Sequence, residues 1–308
     1  MNKIALSAEN LTKIYSKNNS LSKNILALNK LNLEVKRGEI FGLLGPNGAG
    51  KTTFINILAG TVMKTSGQAR VWGFDLDENP RQVRASIGIV PQEVNFDPFF
   101  SPKKMLELQA GFYGVKKADR ITDFILRMVS LEKQAHSYVR NLSGGMKRRL
   151  LIAKAMVHQP PILFLDEPTA GVDVELRQNL WNNVRELNEL GVTIVLTTHY
   201  LYEAQEMCDR IGIINKGNLV ALDTTQKLLD RIESKKIKFK VKNLSQFEKI
   251  RLNGVKFSKT DSEIVATYDK SKFKFDQIID AVKNNAEILD ISTDEGDLED
   301  IFLEVTNK

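Results

Sequence analysis

A single cysteine, Cys208, in 308 residues excludes a disulfide framework and fits a reducing compartment. Its neighbours Met207 and Ile211 predict a buried, inert thiol. No stretch approaches the ~20 apolar residues that a membrane span requires. Met1-Asn2-Lys3 opens no secretory signal, so the expectation is a chain soluble by itself that meets a membrane through a partner. Internal repeats and low-complexity tracts are missing too, and solenoid and linker classes fall away with them. The net charge of +6 comes from lysines spread along the chain, with one local concentration near 235–242. Such a mild balance does not call for a nucleic-acid or anionic-lipid partner.

Gly45-Pro46-Asn47-Gly48-Ala49-Gly50-Lys51-Thr52-Thr53 fits G-x-x-x-x-G-K-[ST]. Before it, Ile40 to Leu44 reads as a buried strand; after it, Thr53 to Leu58 reads as a helix. The glycines let successive backbone N–H groups converge on phosphate oxygens, and the helix adds its positive end. Lys51 is then suited to the β- and γ-phosphates, and the Thr52 hydroxyl to Mg²⁺.

Upstream, Ile4 to Leu6 and Leu11 to Tyr15 read as a first strand and its continuation. Leu26 to Leu28 and Leu31 to Val35 alternate like edge strands. The opening is therefore an antiparallel flank beside a parallel core, and Ser16 to Asn24 reads as an exposed loop. Tyr15 either stacks on a base or packs at a strand end. Val71-Trp72-Gly73 reads as a short strand, and Ile87 to Val90 as a buried one delivering Gln92, whose amide suits Mg²⁺ or an oriented water. From Glu93 to about Arg140 the apolar spacing is helical. The aromatic segment Phe96 to Phe100 belongs either to core or to a groove that receives another protein.

Ser143 is an N-cap candidate, and Gly144 and Gly145 expose N–H groups at a helix start: a second anion site. Pro161 to Leu165 reads as a strand ending in Asp166 and Glu167. The first is placed to hold Mg²⁺, the second to take a proton from an attacking water. Leu176 to Leu190 reads as an amphipathic helix. Val192 to Thr198, another buried strand, delivers His199 to the same end of the sheet, where it can bond the γ-phosphate. His136 and His158 read as surface or helix-end residues. A hairpin over 211–220 closes this first domain, residues 1–230. Residues 231–308 form a small α+β domain in the order strand, helix, two short strands, helix, strand, helix. Its basic start and acidic end can pair with each other or with a second copy.

The phosphate loop, Gln92, Leu142-Ser143-Gly144-Gly145, Asp166-Glu167, Asp173 and His199 follow one another in an order and spacing that resemble the ATP-binding-cassette ATPases over about residues 3–230. PNGAGKTT, VPQE, LSGGMKRRL, LDEPTAGVD, TTHYLYEA and LEDIFLEVT are similar to ATPase subunits of bacterial ABC-2 type exporters. The resemblance implies a P-loop NTPase core with an antiparallel β flank and a helical subdomain at about 93–155. It implies a homodimer binding ATP and Mg²⁺, separate permease subunits, and a position on the cytoplasmic side of the plasma membrane. It assigns Tyr15 to adenine and Gly45 to Thr53 to the triphosphate. Thr52, Gln92 and Asp166 go to the metal, Glu167 to the general base and His199 to the γ-phosphate. Ser143, Gly144, Gly145 and Asp173 go to the dimer contact. Cassettes acting on ribosomes or DNA typically carry two cassettes or a long coiled-coil insertion, and this chain has neither. A sensing module without turnover is opposed by the joint presence of Glu167 and His199. The cargo is left to the permease.

Overall fold

The computed structural model describes residues 3–16, 24–170, 174–232, 234–244, 247–260, 263–269, 271–294 and 297–306. Chain contacts divide it into two units, Met1–Asp223 and Thr224–Lys308. The break falls ahead of the 230/231 boundary read from composition.

In the first unit, strands β1 (Ile4–Tyr15), β2 (Ile25–Lys36), β4 (Ser66–Val71) and β5 (Phe74–Asp75) form an antiparallel sheet in the order β2-β1-β4-β5. Both stretches expected over 4–15 belong to one strand, bent where its register shifts. Trp72 and Gly73 are not strand. Their positive φ values, 53° and 89°, make them the turn between β4 and β5.

A second sheet runs β10-β9-β3-β8-β7-β6, from β3 (Ile40–Leu44), β6 (Ile87–Val90), β7 (Ile162–Asp166), β8 (Thr193–Thr198), β9 (Arg210–Asn215) and β10 (Asn218–Thr224). Strands β9, β3, β8, β7 and β6 are parallel neighbours in turn. All five residues of β3 are buried, as an unbroken apolar run demands of a strand covered on both faces. Parallel pairing brings the C-terminal ends of β3, β6, β7 and β8 to one edge, where open α/β sheets collect ligands. Helix α1 (Lys51–Leu58) follows β3, and α2 (Pro80–Ala85) precedes β6.

Between β6 and β7 lie α3 (Pro102–Phe112) and α4 (Thr122–Met128), in the stretch whose apolar spacing is helical, and α5 (Gly144–Met156), the helix expected after Ser143. Ser101 caps α3 by accepting from Lys104 N, with Pro102 in the first turn. Ser143 caps α5 by accepting from Met146 N at 3.3 Å. Helices α6 (Val174–Glu189) and α7 (Leu201–Met207) flank β8 in sequence. Cys208 is buried, its Sγ packed where Gly42 leaves room, and burial pushes its thiol well above the usual range.

The second unit begins with α8 (Thr225–Asp230), which packs with α10 (Leu298–Thr306); that contact is why the break precedes it. Strands β11 (Ser234–Val241), β12 (Lys256–Lys259), β13 (Glu263–Asp269) and β14 (Ile288–Asp294) form a sheet in the order β12-β13-β11-β14. Ile278 and Val282 of helix α9 (Phe275–Lys283) join Ile237 and Phe239 in its core. The helix expected between β11 and β12 is, among the described residues, a 3₁₀ turn, Phe247–Lys249. From the basic start, Lys236 reaches Asp300 at 3.8 Å.

Candidate functional site

Gly45 to Gly50 wraps the space beyond β3. Gly48 and Gly50 have φ of 77° and 114°, conformations that an L side chain rarely adopts. A Cβ on Gly45 would stand 2.3 Å from Ile214 O, and one on Gly50 would stand 2.5 Å from Ala27 O. The loop is fastened from outside as well. Gly217 N donates to Ala49 O at 2.9 Å, and Asn29 N donates to Gly217 O at 2.9 Å.

Lys51 is 6% exposed, and its ammonium donates to Gly45 O at 2.6 Å and Pro46 O at 3.2 Å. Burial lowers its pKa, while Glu167 and Asp166 oppose that shift. Thr52 is exposed at the first turn of α1.

The neighbouring strands deliver acids and amide to the same edge. Asp166 ends β7, and Thr197 of β8 donates to its Oδ1 at 2.6 Å. Glu167 follows with φ of 45°, its N–H held by Thr197 O at 3.0 Å. Its Oε2 accepts from Gln92 Nε2 at 3.1 Å and faces His199 Nδ1 at 3.2 Å. The His199 ring leans on Tyr200, centroids 4.1 Å apart.

These residues share a cleft of about 710 Å³ that includes the phosphate loop, Lys51 to Thr53, Gln92, Glu167 and His199. Asp166 is tied to it through Thr197 and its attraction to Lys51. Tyr15 is not among the lining residues. It stands opposite Ile25, with the Lys13 ammonium 4.7 Å from its ring centroid, while Ile25, Leu26 and Ala27 line the cleft themselves. Ser143, Gly144 and Gly145 are absent from the lining as well. Asp173 lies outside the described residues.

A second groove of about 600 Å³ is lined by Arg84, Gln92, Tyr113 and Lys154 among others, so Gln92 borders both hollows. Of the two readings offered for His158, surface or helix-end, the second holds: it lies two residues past the end of α5 and is half-buried. Its ring stacks on Tyr113 at 3.6 Å between centroids, its Nε2 meets Ile87 O at 3.0 Å, and burial lowers its pKa.

Sequence reasoning missed Arg148. Its guanidinium is 4% exposed and donates to four main-chain carbonyls, including those of Gln92 and Glu167. Within Lys147-Arg148-Arg149 it reads as one more solvated cation. The available signal is its register: Gly145, Leu151 and Ile152, three before and three and four after it, are all buried.

A phosphate loop after a central parallel strand, acids and a histidine at the ends of its neighbours, and a helical insertion define a P-loop nucleotide hydrolase with an appended helical region. Comparison narrows the class. The family model described as ABC transporter matches residues 28–170. The chain is 33% identical to the linearmycin resistance ATP-binding protein LnrL of Bacillus subtilis, over 98% of both chains. It is 39% identical to a Nod factor export ATP-binding protein I of Cupriavidus pinatubonensis, over 67% of this chain and 64% of that one. Among solved structures, a dimeric ATP-binding cassette in a post-hydrolysis state, bound to ADP and phosphate, superposes with a TM-score of 0.63. It is 29% identical over 71% of this chain and 98% of its own. The chain belongs to the ABC transporter family, as an ATP-binding cassette with ATPase activity.

Proposed function

We propose that this chain is the ATP-hydrolysing subunit of a bacterial ABC-2 type exporter, working as a homodimer that drives separate membrane-spanning permease subunits. The observation that carries the catalytic part is the pair of contacts at Glu167 Oε2, where Gln92 and His199 both meet the carboxylate inside the cleft that holds Lys51. Full-length similarity to a resistance ATP-binding protein, and partial similarity to export ATP-binding proteins, support the exporter reading. The relatives named above do not favour a cassette serving ribosomes or DNA.

In this reading the Gly45–Gly50 amides and the α1 N-terminus bind the triphosphate, and Lys51 leaves its two carbonyls for the β- and γ-phosphates. Oxygen donors of the kind Mg²⁺ prefers are present in Thr52, Gln92 and Asp166; bound there, the ion would neutralise charge developing on the phosphates. Glu167 takes a proton from a water as its oxygen adds to the γ-phosphorus and the β–γ bridge breaks, leaving ADP and phosphate. With Nδ1 turned to Glu167, His199 keeps its other ring nitrogen for the γ-phosphate. Tyr15, beside Ile25, offers a face for adenine.

Ser143, Gly144 and Gly145 do not line the cleft of their own chain, which supports their use across a dimer, against the γ-phosphate of the partner copy. Asp173 joins that contact. ATP then bridges two surfaces, and its hydrolysis releases them. The groove by Gln92, with the exposed Phe99, Phe100 and Phe112 near it, receives the permease. Among the described residues no helix is long and apolar enough to cross a membrane, so attachment to its cytoplasmic side runs through that subunit. Co-expression with a neighbouring six-span permease tests the reading. Expected is a complex whose ATPase activity disappears with Lys51→Ala; permease that purifies without this chain overturns it.

A further inference from the structure

Strands β6 and β7 pair in register as far as Val90 and Leu165, and there the two chains part. Beyond that point they carry Gln92 and Glu167, the residues whose side chains meet at 3.1 Å. Their carbonyls have left the parallel ladder and need donors from elsewhere. Arg148 supplies them. Nη1 donates to Pro91 O and Gln92 O at 2.8 Å each, Nη2 to Glu167 O at 2.8 Å, and Nε to Pro168 O at 2.6 Å. One planar fork thus joins both strand ends, as an ammonium with three swivelling donors cannot.

Glu167 is a non-glycine residue at φ 45°, a conformation that persists only where its surroundings over-determine it. Thr197 O holds its N–H and Arg148 holds its carbonyl, so the peptide groups on both sides of this residue are pinned. Arg148 itself rides on α5, five residues after the capping Ser143. Its neighbour Arg149 points elsewhere, donating to Val129 O and Ser130 O.

We propose that Arg148 is a positioning residue for hydrolysis: it fixes the Glu167 and Gln92 backbones so that the two side chains meet over the nucleotide. It touches no substrate and acts only through the groups it holds. Because it sits on the helix that Ser143 heads, displacement of that helix is passed directly to Glu167. The inference rests on the reading of Glu167 as general base.

The test uses the full chain, with turnover, ATP affinity and thermal melting measured on each variant. Arg148→Met should lower kcat about 100-fold while the affinity for ATP changes by less than about threefold. Arg148→Lys, which keeps the charge but has three donors for four carbonyls, should recover part of that loss, no more than about tenfold. Added to Glu167→Gln, Arg148→Met should cost less than about threefold more in single-turnover hydrolysis, because the group it positions is already gone. Full-strength loss in that background, or an Arg148→Met kcat within about threefold of the parent, overturns the proposal. A slow Glu167→Gln beside a normal Arg148→Met sinks the proposal alone and leaves the base assignment standing. A Glu167→Gln that turns over normally sinks the base assignment. Should Arg148→Met fail to fold, Arg148→Lys decides: reduced kcat at unchanged ATP affinity supports the role, and parental kcat overturns it.

Discussion

His199 and Glu167 meet at 3.2 Å, ring Nδ1 against carboxylate Oε2, with the Gln92 amide on the same oxygen. A carboxylate held this way is aimed, since two partners from two other strand ends fix its direction. On the proposed reading of Glu167 as general base, Glu167→Gln keeps the shape and removes the base. Turnover should fall about 100-fold or more with ATP still bound. On gel filtration the variant should run as a dimer in Mg·ATP and as a monomer in ADP. A monomer at saturating Mg·ATP counts against the shared-site model.

Lys51 is buried against two carbonyls of its own loop and pulled toward Glu167 and Asp166. In the proposed reading Lys51→Ala removes the cation that meets the β/γ-phosphates, and ATPase activity should drop about 100-fold or more. Near-normal turnover refutes the site assignment.

Gly45 has no room for a side chain, since its Cβ would lie 2.3 Å from Ile214 O. Backbone cannot swing aside as a flexible side chain can. Gly45→Ala should therefore cost about 2 kcal/mol or more in urea unfolding and weaken ATP binding. A variant as stable as the parent means that the loop and β9 pack less closely than that distance implies.

Glu107 staples the helical region. It accepts from Thr122 Oγ1 and, at 2.6 Å, from Arg120 Nη1. The Thr122 hydroxyl first, then Arg120, hold its pKa below the ordinary 4.5 against the opposing pull of burial. A folded pKa below the unfolded one gives stability that is present above the unfolded value and lost as pH falls through the folded one. Glu107→Gln should lower Tm at pH 7 by about 2–4 °C. The gap from the parent should close as pH drops below 4.5. A gap independent of pH shows that the charge is not what Thr122 and Arg120 hold.

A chain ending at Asp223 loses the second unit and no residue of the nucleotide cleft. It should bind ATP within about threefold of the full chain. Lost binding in a truncation that still melts cooperatively assigns part of the site to residues beyond 223.

The phosphate loop, Gln92, Asp166, Glu167 and His199 were legible because each sits where a run of apolar residues stops. A buried parallel strand announces itself by that run and delivers its next residue to the ligand edge. The turn at Trp72-Gly73 was hidden because an apolar, aromatic pair there looks like strand until φ is known. Arg148 was hidden for another reason. Its four partners are main-chain carbonyls from two distant segments, and no side-chain pattern encodes a carbonyl. The lining by Ile25 and Leu26 in place of Tyr15 depends on β-register, which alternation alone leaves open.

The ties from Gly217 to Ala49 and Asn29 give the nucleotide cradle an existence apart from its guest. A mobile cradle would have to be ordered anew at every catalytic cycle, and each ordering would be subtracted from affinity. Here that ordering happens once, when the chain folds, and afterwards ATP and ADP alike encounter a finished mould. In the proposed reading the two nucleotides are then told apart by the groups assigned to the γ-phosphate: Lys51, His199 and the Ser143 of a second copy.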